Sequence, residues 1–253
     1  MTKSKLIIIG QMLLLFVLIK INSYNLPPSI PLAEIATDST SITVPIAIKK
    51  ASKNLSFANE NLPTGNKRIT LKMKKTLKSN SYSNIQTHKL HYRAQKWFTV
   101  IEPILKKHGI PEDFKYIPLV ETGLATNIYS SKGAAGLWQF MPQTGRDFGL
   151  KVNSTVDERF NIELSTLAAA KYLKSLHKIF GSWTLVAAAY NAGEGRIQRK
   201  IKSQKQRNYY MLKLNRETAA YVYSIISMKE IIEHPEKYGY KIKNSRWLAY
   251  QGK

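Results

Sequence analysis

The stretch Glu121-Thr-Gly-Leu-Ala-Thr-Asn-Ile-Tyr-Ser-Ser-Lys-Gly-Ala-Ala-Gly-Leu-Trp-Gln-Phe140 carries one carboxylate, at its first position, and the next acid is Asp147. Glu121 follows Ile117-Pro-Leu-Val120, so its neighbours on a short predicted helix over 113–122 are apolar. Desolvation disfavours a charged carboxylate and raises its pKa, which keeps a glutamic acid protonated near neutral pH and fit to act as a general acid. The competing reading is a helix-end glutamate paired with one of the many lysines. Glycosidases, moreover, usually work with two carboxylates, and here only one is in view.

The sequence on either side is helical. Trp97, Val100, Ile101, Ile104, Leu105 and His108 recur at helical spacing until Gly109 and Pro111 stop the run. Gly133-Ala-Ala-Gly136 reads as a tight loop, and Pro142 suits the first turn of a helix ending near Gly149. Asn161 is an N-cap ahead of a helix whose apolar face is Ala169, Tyr172, Leu173, Leu176, Ile179 and Phe180. Ser182 caps the next helix, 183–190, whose alanines 187–189 allow close packing. Asn215 begins a last long helix with Tyr221, Val222, Ile225, Ile226 and Ile232 inward. No alternating strand pattern intervenes, so residues 88–235 are expected to form an all-α domain.

Before that domain, Lys3 and Lys5 precede the apolar run Leu6–Ile19, which Lys20 ends. This fits a secretory signal better than a transmembrane helix, but no small-x-small cleavage site follows, so residues 1–25 read as a signal peptide or a retained anchor. Residues 26–87 are rich in Pro, Ser, Thr, Asn and Lys and read as a low-complexity linker, with strand-like character over 42–48. Residues 236–253 read as a basic aromatic tail. Either form of the leader takes the rest of the chain out of the cytoplasm, to the periplasm or cell envelope. The formal charge of +23 favours polyanionic partners, while export argues against nucleic acid.

Other chemistries are poorly served. The chain has no cysteine, which excludes disulfides, thiol nucleophiles and Cys-bound metals. The five histidines lack metal-ligand spacing, and His88 and His91 read as surface or interface residues. The glycine-rich loop lacks the Lys-Ser/Thr ending of a phosphate site. No metal and no cofactor are expected.

Pro118-Leu-Val-Glu-Thr-Gly-Leu124, Ser130, Gly133-Ala-Ala-Gly-Leu-Trp-Gln-Phe-Met-Pro-Gln-Thr-Gly145, Ala187-Ala-Ala-Tyr-Asn-Ala-Gly-Glu-Gly-Arg196 and Glu217-Thr-Ala-Ala-Tyr-Val222 together resemble, in order, the signature blocks of the lytic transglycosylases. These are lysozyme-like enzymes of glycoside hydrolase family 23, and the likeness is greatest to the membrane-bound D type. It spans about residues 110–223. It implies a goose-lysozyme-like helical fold with a groove for peptidoglycan glycan strands, acting as a monomer.

The resemblance makes Glu121 the single catalytic acid, which protonates the oxygen between N-acetylmuramic acid and N-acetylglucosamine. Its carboxylate then takes a proton from the muramic 6-hydroxyl as that oxygen attacks C1, leaving a 1,6-anhydro end. Thr122, Ser130, Gln139, Tyr190 and Asn191 are implied to contact substrate, with Tyr190 near the acid. Gly136 and Gly193 are implied to be structural, Gly193 by permitting close backbone approach. Glu217 is read as structural too, capping the last helix. Trp138, Phe140 and Met141 weigh more as core than as sugar platforms.

One departure is Thr122, where the family usually has serine. Its β-branch restricts the rotamer of an otherwise equivalent hydroxyl. No LysM repeat is visible, so the tail residues Lys237, Lys241, Lys243, Arg246, Trp247 and Tyr250 are expected to hold the enzyme to an anionic wall. Two alternatives stay open: a hydrolase on the same fold, using Asp147, Asp157 or Glu194 to activate water, and a non-catalytic peptidoglycan-binding protein.

Overall fold

A computed structural model of the chain describes residues 55–85 and 88–241. The expected leader 1–25, the run 42–48 and the tail from 242 onward lie outside the described residues. Those that are described fold as helices with one short hairpin, β1 (Ser56–Phe57) paired antiparallel with β2 (Glu60–Asn61).

The helices are α1 (Lys67–Asn80), α2 (Tyr82–Ile85), α3 (Lys89–Lys107), α4 (Ile117–Thr122), α5 (Pro142–Asp147), α6 (Ile162–Phe180), α7 (Trp183–Ala192), α8 (Glu194–Gln204) and α9 (Arg216–Glu233). Among the described residues, none is long and apolar enough to cross a membrane. The centre is α7, which packs against α6, α8 and α9. Thr184 to Ala189 are all buried, and the alanines let the neighbouring helices come close. Asn161 and Asn215 cap α6 and α9 as expected, their side chains accepting from the amides of Leu164 and Thr218.

Part of the expected linker is folded. Phe57 is fully buried against Phe114, and Ile69 and Met73 of α1 are buried where that helix packs on α9. Their apolar positions, Ile69 and Met73, are four apart, a helical spacing obscured by the surrounding lysines. Burying each such side chain contributes about 1.5–3 kcal/mol, enough to hold a segment whose composition resembles a linker. The hairpin also corrects the reading of Ser182. That side chain makes no cap bond to its own helix. Glu60 reaches across instead, accepting from the backbone amides of Trp183 and Thr184 and from the hydroxyls of Ser182 (2.9 Å) and Thr184 (2.7 Å). A carboxylate at a helix N-terminus satisfies orphan amides and the macrodipole together.

The downstream boundary also moves. Pro235–Tyr238 forms a 3-10 turn against α9, and Tyr240 is fully buried with its hydroxyl donating to the Asn80 carbonyl at 2.8 Å. Lys237, expected to face a wall, pairs with Glu230 at 3.3 Å. His91, read as a surface or interface residue, is buried within the fold against Tyr240, its Nε2 3.0 Å from the Ile231 carbonyl oxygen. Its buried face on α3 runs through Ala94, Phe98, Ile101 and Leu105, rotated from the predicted one. On α6, Ile179 is exposed rather than inward. Helix α8 has no counterpart in the expected element list, because its sequence is dominated by polar residues and only Ile197 is buried.

Candidate active site

Helix α4 is short because Pro118 starts it and a left-handed Gly123 ends it, which leaves Glu121 in its last turn. Leu124, one residue further on, also has a positive φ (57°) although it is not glycine, a conformation that costs roughly 1–3 kcal/mol and clusters at functional sites. The Gly123 carbonyl accepts from Arg93 Nη1 at 3.0 Å, tying this corner to α3.

Glu121 is half-buried, and its Oε1 accepts a short hydrogen bond from the Tyr221 hydroxyl of α9. Burial raises its pKa, the Tyr221 bond lowers it, and the nearby negative charge of Glu217 raises it; the net position is about 7 against an ordinary 4.5. A carboxyl group at that value is part protonated at neutral pH, so it can give a proton and take one back.

The second carboxylate comes from α9, not from the acids near Glu121 in sequence. Glu217 does not cap α9, since Asn215 does that; its Oε1 instead accepts from Asn191 Nδ2 at 2.8 Å. Asn191 Oδ1 accepts from the Thr218 hydroxyl at 2.8 Å, so the end of α7 and the start of α9 are laced together. Asp147 and Asp157, considered as water activators, are engaged elsewhere: Asp147 accepts from Gln143, and Asp157 holds Arg159 through both carboxylate oxygens.

Tyr190 lies close enough to Glu121 for that charge to add to burial in holding the phenol well above its usual pKa. Its hydroxyl donates to the Trp138 carbonyl at 2.6 Å, however, and Tyr221 is the residue bonded to the acid. Reading Tyr221 as a core residue missed this. The signal was present in the last family-like block, where Glu217 and Tyr221 stand four apart and so share one face of a helix.

The remaining predicted residues serve the loop 124–141. Ser130 Oγ accepts from the amides of Ala134 (2.9 Å) and Lys132 (3.3 Å). Gln139, held at φ 50°, donates from Nε2 to the carbonyls of Gly136 (2.8 Å) and Ile128 (3.3 Å). Thr122 turns its hydroxyl back to the Pro118 carbonyl at 3.1 Å. These three make hydrogen bonds to local backbone, whereas Glu217 and Tyr190 lie within electrostatic reach of Glu121 and Asn191 holds Glu217.

Arg159, which none of the sequence motifs singles out, pins the loop. It is 4% exposed and donates to the carbonyls of Gly133 (2.7 Å) and Phe140 (2.9 Å) as well as to Asp157. Its own carbonyl presses on Gly136, where an added Cβ would lie 1.9 Å from that oxygen. Gly136 is thus required by both space and its φ of 73°. Gly193 differs from expectation: nothing lies within 4 Å of a Cβ there, and only its φ of 86° calls for glycine. Trp138 and Phe140 are buried core, with Trp138 Nε1 donating to Thr166 at 2.9 Å, while Met141 is exposed.

This arrangement, a half-buried acid at the corner of α4 near Glu217 of α9, lies partly in a stretch with known relatives. Residues 98–213 match the transglycosylase SLT domain. The chain is 34% identical over 204 residues to membrane-bound lytic murein transglycosylase D of Escherichia coli, an alignment covering 76% of this chain and 44% of that protein. It is 34% identical over 116 residues to a putative tributyltin chloride resistance protein of an Alteromonas species, covering 46% of this chain and 56% of the other. The chain thus spans less than half of the first relative. Among solved structures, an inactive mutant of the lytic transglycosylase Slt from Pseudomonas aeruginosa matches 59% of this chain and 26% of its own, at 25% identity and a TM-score of 0.46.

Proposed function

We propose that this chain is a peptidoglycan lytic transglycosylase with a lysozyme-like catalytic domain, and that Glu121 is its acid and then its base. The observation that carries the reading is the placing of Glu121: partly enclosed, bonded to Tyr221 and set at a pKa of about 7. Protonated, it gives its proton to the β-1,4 glycosidic oxygen as the bond to muramic C1 breaks, and the N-acetylglucosamine leaves as an alcohol. Ionised, it accepts the proton of the muramic 6-hydroxyl while that oxygen bonds to C1. The atoms balance without water, since the nucleophile belongs to the substrate. Its tethering replaces activation by a second carboxylate, because an intramolecular nucleophile has a very high effective concentration.

Tyr221 keeps the ionised carboxylate aimed at the groove, and Asn191 holds Glu217 where its charge raises the acid's pKa. Tyr190 and Gln139 are proposed to face the sugar, with Ser130 and Thr122 shaping the wall. The name of the Escherichia coli relative supports peptidoglycan as the substrate and a membrane-associated place in the cell envelope.

A hydrolase reading has one observation in its favour, the presence of Glu217 near Glu121. Glu217 is engaged by Asn191, which argues against a free base for water. Glu121→Gln tests the site: it is expected to abolish clearing of purified sacculi while leaving sacculus binding intact. Clearing at the native rate would remove Glu121 from the chemistry.

A further inference from the structure

Helix α1 carries a surface that the proposed reaction does not use. Lys67, Arg68, Leu71, Lys74, Lys75 and Lys78 are all exposed, Leu71 to 56%. At about 100° per residue these six positions fall within about a third of the helix circumference, opposite the buried Ile69 and Met73. The helix sequence holds no acid, and none of the five cations takes part in an ion pair among the described residues. The stripe runs about 16 Å from Lys67 to Lys78, with Leu71 as its one apolar side chain.

This pattern works against the helix that bears it. Lys67 and Arg68 stand in the first turn, where the macrodipole favours acids. Lys74 and Lys78 are four apart, the spacing at which like charges repel. Half-buried Lys72 shows the effect: burial, and then the Arg68 charge, hold its ammonium below the usual lysine range. What keeps the helix in place is its other face. Ile69 and Met73 are buried as α1 packs on α9, Lys72 Nζ donates to the Ala219 carbonyl at 2.6 Å, and Asn80 Nδ2 donates to the Ser227 hydroxyl at 3.1 Å. The stripe is therefore presented on a fixed helix, with its charge unpaired among the described residues.

Anionic phospholipid headgroups diffuse within their plane, so they can match any spacing of cations, and each lysine or arginine near such a surface adds to the attraction. The exposed Leu71 separates this partner from a hydrated anionic polymer. Amid cations, an aliphatic side chain is stabilised where an apolar layer lies directly beneath the anions. Because α9 already covers the apolar face of α1, the helix lies on the bilayer and does not enter it. We propose that this stripe docks the folded domain on an anionic phospholipid bilayer, with the cations on headgroup phosphates and Leu71 at the acyl boundary. The contact is separate from any N-terminal anchor. It sets the orientation of α9, which carries the Tyr221 bonded to Glu121. It rests on the proposed envelope location and not on the chemistry at Glu121.

The full chain has no cysteine, so Leu71→Cys takes a single environment-sensitive fluorophore within the stripe. Ile179→Cys takes the same label on α6, at a position 40% exposed. At low salt, phosphatidylglycerol vesicles are expected to blue-shift the label at 71 and not that at 179. Phosphatidylcholine vesicles are expected to shift neither, and high salt to reverse the effect. In the chain labelled at 71, Lys67→Gln/Lys74→Gln/Lys78→Gln is expected to weaken vesicle docking about a hundredfold, roughly fivefold for each cation. Lys171→Gln/Lys174→Gln/Lys178→Gln, on exposed positions of α6, removes the same charge elsewhere and is expected to leave docking unchanged. No shift at 71, an equal shift at 179, or the same loss in both triple variants would overturn the docking face. A shift with purified sacculi and none with vesicles would assign the stripe to the wall and overturn it too. Vesicle docking by a chain that clears no sacculi would leave the stripe standing and overturn the lyase reading.

Discussion

Replacing Glu121 by glutamine should make the protein more stable, and by an amount that depends on pH. In the folded chain the carboxyl sits at about 7, against 4.5 without its surroundings. Between those two values the unfolded chain has released the proton that the folded chain still holds. Stability from this group is therefore undiminished below pH 4.5, falls as pH rises, and reaches its full penalty above pH 7. At 1.36 kcal/mol per pH unit the penalty amounts to at most about 3 kcal/mol. Glutamine has nearly the same shape, still accepts from Tyr221, and cannot ionise, so it removes the penalty. His91, buried and lowered to about 4, acts in the opposite sense, since stability is lost as pH falls from 6.5 towards 4. That contribution is common to both proteins and cancels in the difference. Urea denaturation of the native and Glu121→Gln chains at pH 4.5 and pH 8 measures it directly. The variant is expected to match the native chain at pH 4.5 and to exceed it by ~2–3 kcal/mol at pH 8. A gap that does not grow with pH would refute the enclosed, raised acid on which the site rests.

Other consequences concern its partners. Tyr221→Phe removes a hydrogen bond that favours the ionised form of Glu121; such bonds to charged groups are worth about 1.5–3 kcal/mol. The alkaline limb of the pH–rate profile should therefore move up by roughly one to two pH units, and an unmoved limb would show that Tyr221 does not act on the acid. Gly136→Ala places a methyl 1.9 Å from the Arg159 carbonyl oxygen and should cost over ~3 kcal/mol, read as a large fall in melting temperature; a near-native value would contradict the loop packing. Glu60→Ala strips the N-terminus of α7 of its carboxylate and should cost about 1–2 kcal/mol, seen in denaturation, with activity retained well below the melting temperature.

How far the sequence was legible differs between elements for physical reasons. Helices α6 and α9 announce themselves through Asn caps and long apolar faces, and the corner that holds Glu121 through Pro118 and Gly123. The hairpin and α1 do not, because two buried residues on α1 carry the packing while lysines dominate the composition. Helix α8 is hidden likewise, with one buried side chain among polar neighbours. Within the site, Glu121, Asn191 and Gly136 were readable. Tyr221 and Arg159 were not, since each acts at a point far away in sequence: Tyr221 lies 100 residues from the carboxylate it bonds, and Arg159 26 from the Gly133 carbonyl it holds. Composition and local spacing contain nothing of such pairings. Glu60 shows the same limit, as it caps a helix 123 residues downstream.

The solitary position of Glu121 in its own stretch of chain is the feature from which the mechanism grew, and the products of cleavage report on it directly. Mass spectrometry of muropeptides released from purified sacculi by the native chain distinguishes an internal nucleophile from water. The account predicts muramic ends in the 1,6-anhydro form, 18 Da (about one water) lighter than reducing ends, as follows from a reaction in which the substrate's own hydroxyl closes on C1. Reducing ends without the anhydro form would contradict it and assign the site to hydrolysis.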